Sequence, residues 1–396
     1  MALKVLAIGD LSNNIVMFKK FVQSDIHLIN FPWDGPSKIM DVKKDVEFFK
    51  GSKVKENLQR INEIKHDFDI CIAMSSTGLL MSYLADLNYI AYYCGHDIRS
   101  PPFVKNMHDP LSTDKPIYDF NSWERSYYKK AYDNAIAAVV TDDELLEHLK
   151  KYRKDHVRIS GYIVDTTLFN PNVEPIHKTK EKFTFLSPAR MGLQKGTDKI
   201  WEALNLCQSD FEVIQIKWYD NRNPNEEKIA KKWIENPPKQ VKFVPIMPRD
   251  ELGRNMVSVD AILGQVSGIQ ADVERSGALC KKPVIQYTDK EIKYEKNGEE
   301  VRSPFLPEIN NPKEIAKVLD QIVISKEFRE QLASDECNFV KNIFNPIHIA
   351  QEWEEKFMFV KKTVPKNKKS KFQLKIRLFN FLIINKLYMK KIKNRI

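Results

Sequence analysis

The stretch Phe185-Leu-Ser-Pro-Ala-Arg190-Met-Gly-Leu-Gln-Lys195-Gly196-Thr-Asp-Lys-Ile-Trp-Glu-Ala-Leu204 sets out a strand, a loop and a helix in quick succession. The apolar run ending at Ser187 reads as a buried strand, and Ile200, Ala203, Leu204 and Cys207 share one face of the helix that follows. The loop between them carries Arg190 and, five residues on, Lys195-Gly196. Two cations at the mouth of such a unit suit a diphosphate. Arginine offers a planar fork for paired phosphate oxygens and lysine adds a mobile point charge. The helix start contributes N–H groups and a positive dipole end, and Gly196 lets backbone approach closely. A solvated basic turn ahead of a surface helix is the competing reading, so the surroundings decide.

Outward from this segment, strand-like and helix-like runs alternate along the whole chain. Strands are expected at Leu3–Gly9, Ile26–Phe31, Phe68–Ala73, Tyr89–Cys94, Ala135–Val140 and Val157–Ser160, then at Phe183–Leu186, Phe211–Lys217, Val241–Val244, Ala261–Leu263 and Pro283–Tyr287. Helical patterns lie between them, among others at Val54–His66, Leu79–Leu87 and Ser122–Tyr132, and Thr141-Asp-Asp-Glu144 reads as a capping box. Strands this apolar, each followed by a helix, imply α/β architecture with parallel sheets covered on both faces. The polar, proline-containing residues 171–182 read as a linker between an N-terminal domain, 1–170, and a C-terminal domain, 183–345. A helix over 346–360 and a basic amphipathic tail over 361–396 follow.

Size and composition agree with this division. A chain of 396 residues with 42% hydrophobic and 11% aromatic content fits two globular domains. The five scattered cysteines have no C-x-x-C spacing, so they read as small buried residues in a reducing cytoplasm. The amino terminus reads as a first strand, not a signal peptide, and no apolar run is long enough to span a bilayer. Of 63 Lys and Arg against 53 Asp and Glu, thirteen cations and no acid lie in residues 361–396, so the first 360 residues carry −3. That balance argues against a nucleic-acid surface on the folded domains. The tail interleaves Phe372, Phe379, Phe381 and neighbouring aliphatics with its cations. It reads either as a helix in the interface of an anionic membrane, through residues 366–396, or as a helix packed on the protein itself.

Three further constellations bear on chemistry. Gly264-Gln265-Val-Ser-Gly268 follows an apolar strand, and Asp272-Val-Glu274-Arg-Ser276 opens the helix before Lys282-Pro283-Val-Ile. Parallel sheets bind ligands at the carboxyl ends of their strands, which is where this loop belongs. Glu274 reads as a solvated helix-face carboxylate or as one turned to a ligand, and Gly268 as a donor of backbone N–H contacts. Gly95-His96-Asp97-Ile98-Arg99 brings an imidazole, a carboxylate and a guanidinium to the end of another strand, where an Asp97–Arg99 pair fixing the loop is the competing reading. Asp10, Ser12 and Asn13 follow the first strand and suit sugar hydroxyls, with a turn and helix cap as the alternative. Trp201 and Trp353 sit at helical core spacing, and the histidines show no metal-ligand spacing.

Taken together, Arg190-x4-Lys195-Gly196, the Gly95–Arg99 segment and the loop before Lys282-Pro283 resemble nucleotide-sugar glycosyltransferases of the GT-B fold, especially the retaining family numbered four. The resemblance spans roughly residues 1–360 and implies two Rossmann-like doubly wound domains with a cleft between them. It implies a hexosyltransferase-like activity, in polysaccharide biosynthesis, that moves a sugar from a nucleotide-sugar donor to a glycan or lipid-linked acceptor. Retention and metal independence are implied too, with Arg190 and Lys195 neutralising the leaving diphosphate and no cofactor beyond the donor. Donor contacts are implied at Arg190, Lys195, Gly196, Gln265, Gly268, Ser276 and Glu274, the last as a replacement ribose ligand. His96 and Asp97 are implied as catalytic, and Asp10, Ser12, Asn13 and Arg99 as acceptor-side. The helix over 346–360 would cross back to the first domain. A cytoplasmic protein, peripheral at the inner membrane face, is the expected setting. The family's glutamate pair is missing, since its positions fall on Gly268 and Ser276. That departure keeps a catalytically silent scaffold open beside the other GT-B chemistry considered, nucleotide-sugar epimerisation.

Overall fold

The computed structural model describes residues 2–11, 13–32, 46–51, 53–105, 120–159, 161–176, 182–219, 224–267, 272–289, 291–296, 298–363 and 371–393. Among them, residues up to Ile163 and from Pro346 onward form one compact unit, and Val164–Asn345 form a second. Val164 and Phe169 are buried in the core of the second unit, so the chain changes unit ahead of the polar stretch that begins at Asn170.

The first unit is a parallel sheet of β1 (Lys4–Ile8), β2 (Asp25–Asn30), β3 (Val46–Phe48), β4 (Ile70–Met74), β5 (Tyr89–Tyr92), β6 (Ala137–Val140) and β7 (His156–Arg158), in the order β3-β2-β1-β4-β5-β6-β7. Successive residues feed opposite faces. Leu6 and Ile8 of β1, Cys71 and Ala73 of β4, and Tyr89 and Ala91 of β5 join one core. Val5 and Ala7, Ile70 and Ile72, and Ile90 and Tyr92 join the other. With both faces covered, the period-2 geometry buries successive residues on alternate sides, which is why Val5–Ile8, Ile70–Met74 and Tyr89–Tyr92 are near-continuous apolar runs. The helices Val54–Ile64, Ser75–Leu84, Ser122–Asp133 and Asp143–Lys150 supply side chains to the first face. The second face is covered by Asn14–Phe18 and by the late helix Pro346–Thr363, whose Trp353 stacks on Phe18 at 5.0 Å and meets Tyr92 edge-on at 4.9 Å.

In the second unit β8 (Thr184–Ser187), β9 (Glu212–Ile216), β10 (Val241–Val244), β11 (Ala261–Leu263) and β12 (Val284–Ile285) form a parallel sheet in the order β10-β9-β8-β11-β12. A two-stranded antiparallel hairpin, β13 (Tyr294–Lys296) and β14 (Glu299–Val301), stands apart from it. In each sheet the first strand has its sequence successor on one side and a later strand on the other. The order thus reverses between β1 and β4 and between β8 and β11.

Some local expectations are corrected. The helix after β4 starts at Ser75 rather than Leu79, with Ser75 in the left-handed region at φ 68°. Thr141–Glu144 is not a capping box: Asp142 is the cap, accepting the Leu145 N–H at 2.8 Å. A reciprocal box does occur at Asn121 and Glu124. The tail forms the helix Lys371–Lys393, which packs on the first unit.

Candidate functional site

In an open parallel sheet a ligand crevice opens outside the carboxyl ends of the strands where the order reverses, because the following loops there diverge to opposite faces. In the second unit this point lies between β8 and β11. After β8 the chain forms an open turn, a short helical turn at Leu193–Lys195 and then the helix Thr197–Leu206, which no side chain caps. Buried Gln215 on β9 ties the strand end down, its amide donating to the carbonyls of Ser187 at 3.2 Å, Ala189 at 3.3 Å and Ile216 at 3.0 Å. Met191 N–H donates to the Trp218 carbonyl at 2.8 Å. Within the turn, the Gly192 N–H donates to Thr197 Oγ1 at 3.0 Å.

The β11 loop docks onto this turn. Val266 N–H donates to the Lys195 carbonyl at 3.0 Å, and Asn310 holds the Val266 carbonyl at 2.8 Å. Gly196 has φ +71°, and a Cβ there would lie 2.4 Å from Val266 Cγ2, so both backbone sign and space call for glycine. Arg190 and Lys195 are half-buried on the turn, with the Arg190 guanidinium 3.4 Å from Gln194 Oε1. The turn is not uniformly cationic: buried Glu226 reaches it, and a Cβ at Gly192 would lie 2.6 Å from its carboxylate.

The remaining donor-side residues fall differently. Glu274 is fully buried, so it is not a solvated carboxylate, and it accepts the Gln265 N–H at 2.9 Å. Through that oxygen it shapes the β11 loop. Ser276 is also buried, and its hydroxyl donates to the Asp272 carbonyl one turn back at 2.8 Å. Gln265 is buried beside them. Gly268 lies outside the described residues.

In the first unit the order reverses between β1 and β4. Gly9, at φ +84°, passes so close to β4 that a Cβ would lie 2.3 Å from the Met74 carbonyl oxygen. Asp10 is buried and accepts the N–H groups of Ile15 and Val16, both at 3.0 Å, while its own N–H donates to Asn30 at 2.9 Å. It thus satisfies N–H groups in the first turn of the helix Asn14–Phe18. Asn13 is buried with φ 60°, and Ser12 lies outside the described residues.

The loop after β5 separates the roles expected of its residues. Asp97 turns inward, accepting the N–H groups of Gly95 at 2.9 Å and Cys94 at 3.2 Å, so it holds the loop instead of acting beside His96. Burial pushes its carboxyl up to about 6 in spite of those bonds. Arg99 does not pair with Asp97. It forms a fork on Glu144 of the helix Asp143–Lys150, with Nε at 2.7 and 2.9 Å from the two carboxylate oxygens. Burial pushes the Glu144 carboxyl up, but the Arg99 bonds and charge outweigh it and hold the group below its ordinary range. His96 is the exposed member of the segment. Tyr132 supports the loop from below, donating to the Asp97 carbonyl at 2.5 Å and lying 3.0 Å from the Ser76 hydroxyl.

Sequence reasoning missed Gln215, Asn310, Tyr132 and Glu144. Gln215 left a signal, a glutamine interrupting the apolar run of β9. Among the described residues no group of three or more His, Cys, Asp or Glu side chains is placed to hold a metal ion. None of the described helices is long and apolar enough to cross a membrane.

No protein-family model and no curated protein sequence matches the chain. Solved structures do. HepE of Anabaena, in complex with UDP and glucose, is similar at 15% identity and TM-score 0.63, over 90% of this chain and 100% of that one. A glycosyltransferase from Rickettsia africae is similar at 16% identity and TM-score 0.62, over 92% and 100%. Sucrose-phosphate synthase from Thermosynechococcus elongatus is similar at 11% identity and TM-score 0.66, over 91% and 100%. At such identities the likeness shows the fold, and that fold is GT-B.

Proposed function

We propose that the chain is a glycosyltransferase that moves a sugar from a nucleotide-sugar donor to a hydroxyl of a glycan or lipid-linked acceptor. The observation that carries this reading is the interlock of the two loops at the order reversal of the second unit. The Val266–Lys195 bond and the glycine at 196 fix a half-buried arginine and lysine where a doubly wound sheet receives phosphate. The fork of Arg190 and the point charge of Lys195 neutralise the diphosphate as it leaves, a role that needs no metal. His96, exposed after β5, is the group assigned to turnover, and Asp97 positions it. The uridine nucleotide bound by HepE makes a UDP-sugar the first donor to test. Retention at the anomeric carbon rests on the family resemblance. We place the protein at the inner face of a membrane, held there by its cationic tail.

A thermal-shift panel of UDP-, GDP-, ADP- and CMP-sugars tests the donor site, since a ligand stabilises only the state that binds it. One donor should raise the melting temperature and then support transfer. The same assays separate the other readings. Turnover of the donor to a free epimer would replace transfer by epimerisation. A donor that binds without turnover across an acceptor panel would favour the silent scaffold, which the residues at 268 and 276 keep open. A chain that binds none of these donors would overturn the proposal.

A further inference from the structure

The tail helix Lys371–Lys393 has two unlike faces. On one, Arg377 is 9% exposed, its guanidinium donating to the Tyr83 carbonyl, standing 3.3 Å from the Asp86 carboxylate and lying 4.3 Å over the Tyr83 ring. Tyr127 donates to the Arg377 carbonyl at 3.3 Å, and buried Phe381 meets the Tyr127 ring edge-on at 5.1 Å. Leu378 and Leu382 pack into the same core. On the other face Phe372, Ile376, Phe379 and Ile383 are 71%, 43%, 60% and 37% exposed. Their spacing of four, three and four residues lines them up in one stripe, about half a helical turn away from Arg377 and Phe381.

A folded protein rarely leaves four large apolar side chains in a row facing water unless something covers them. Charge indicates what does. The segment 361–396 holds thirteen Lys and Arg and no acid. A second copy would bring its own cations against these, whereas an anionic lipid surface attracts both the charges and the stripe. We propose that this helix is a two-sided bracket. Arg377 and Phe381 clamp it to the first unit, and Phe372, Ile376, Phe379 and Ile383 enter the headgroup–acyl boundary of a membrane containing anionic lipid. This rests on the membrane placement proposed above and adds which residues make the contact. The docked face fixes the helix before lipid is met, so the stripe is presented without the cost of folding a free tail at the surface.

The full-length protein and a variant carrying Phe372→Ser, Ile376→Ser, Phe379→Ser and Ile383→Ser are sedimented with vesicles of phosphatidylcholine, with and without phosphatidylglycerol. The wild type should pellet with the phosphatidylglycerol vesicles, and the variant should bind them at least about tenfold more weakly, since each large side chain withdrawn from apolar contact forfeits a substantial transfer term. Its melting temperature should hold, because the changed side chains are exposed. Equal binding by the two proteins would overturn the stripe while leaving recruitment by charge intact. Failure of the wild type to bind would overturn stripe and membrane placement together. A change from dimer to monomer in the variant, with vesicle binding unchanged, would make the stripe a contact between copies and likewise overturn the proposal.

Discussion

At the scale of single residues, the site divides side chains that face outward from side chains that hold loops. Arg190→Ala and Lys195→Ala should each weaken donor binding about ten- to a hundredfold, the worth of one charge-assisted bond, while the melting temperature stays nearly constant. Full activity in both, with a confirmed donor, would remove the diphosphate from this turn. Gly196→Ala should act differently, lowering stability as well as affinity, because its φ of +71° and the 2.4 Å approach to Val266 both oppose a Cβ. Asp97 sets a pH dependence. Below about pH 4 its carboxyl is protonated in folded and unfolded chains alike, and burial carries no charge penalty. As pH rises towards the folded value of about 6, the unfolded chain ionises while the folded one keeps its proton, so this contribution to stability is lost. Asp97→Asn should therefore gain on the wild type by roughly 2–3 kcal/mol between about pH 4 and pH 7 in denaturant titrations. A difference that stays flat over that range would show an ordinary carboxyl. Residue types were legible in the sequence here, but their partners were not. An aspartate after a strand suits both a sugar hydroxyl and a helix cap, and only the fold shows Asp10 on the N–H groups of Ile15 and Val16. Arg99 likewise found its carboxylate on Glu144, 45 residues away rather than two.

At the scale of elements, legibility followed burial. β1, β4, β8 and β11 are apolar at consecutive positions because both faces of their sheets are covered, so they announce themselves. β3 has three half-buried residues, and the hairpin β13–β14 reads Tyr-Glu-Lys and Glu-Glu-Val, so neither carries a hydrophobic pattern to detect. The start of the helix after β4 was hidden for another reason. Serine at φ 68° with two further hydroxyl residues looks like a loop, yet helical geometry begins there. The tail helix offered two readings, and its docked face belongs to the first unit's core. Ending the chain before Lys371 should therefore lower the melting temperature by several degrees, because Tyr83 and Tyr127 lose the cover of Arg377 and Phe381. An unchanged melting temperature would show that this face contributes nothing to the fold.

At the scale of the whole molecule, the order of the chain and the order of the units disagree. The first unit contains the amino terminus, yet one face of its sheet is closed by Ile349, Trp353, Phe357 and Val360, each essentially buried. The second unit is complete once Asn345 has been made. Domains ordinarily mature in the order of synthesis, amino-terminal first. Here the growing chain must keep Phe18 and Tyr92 uncovered while the second unit forms, and finish its beginning last. Ribosome-bound chains stalled with residue 345 just clear of the exit tunnel should resist protease across 164–345 and be cut within 1–163, whereas released full-length protein should resist in both. Equal resistance of the two regions in the stalled chain would show that the first sheet closes without its late helix. A nonsense codon just after Asn345 would accordingly unmake the unit whose first strands were translated long before it.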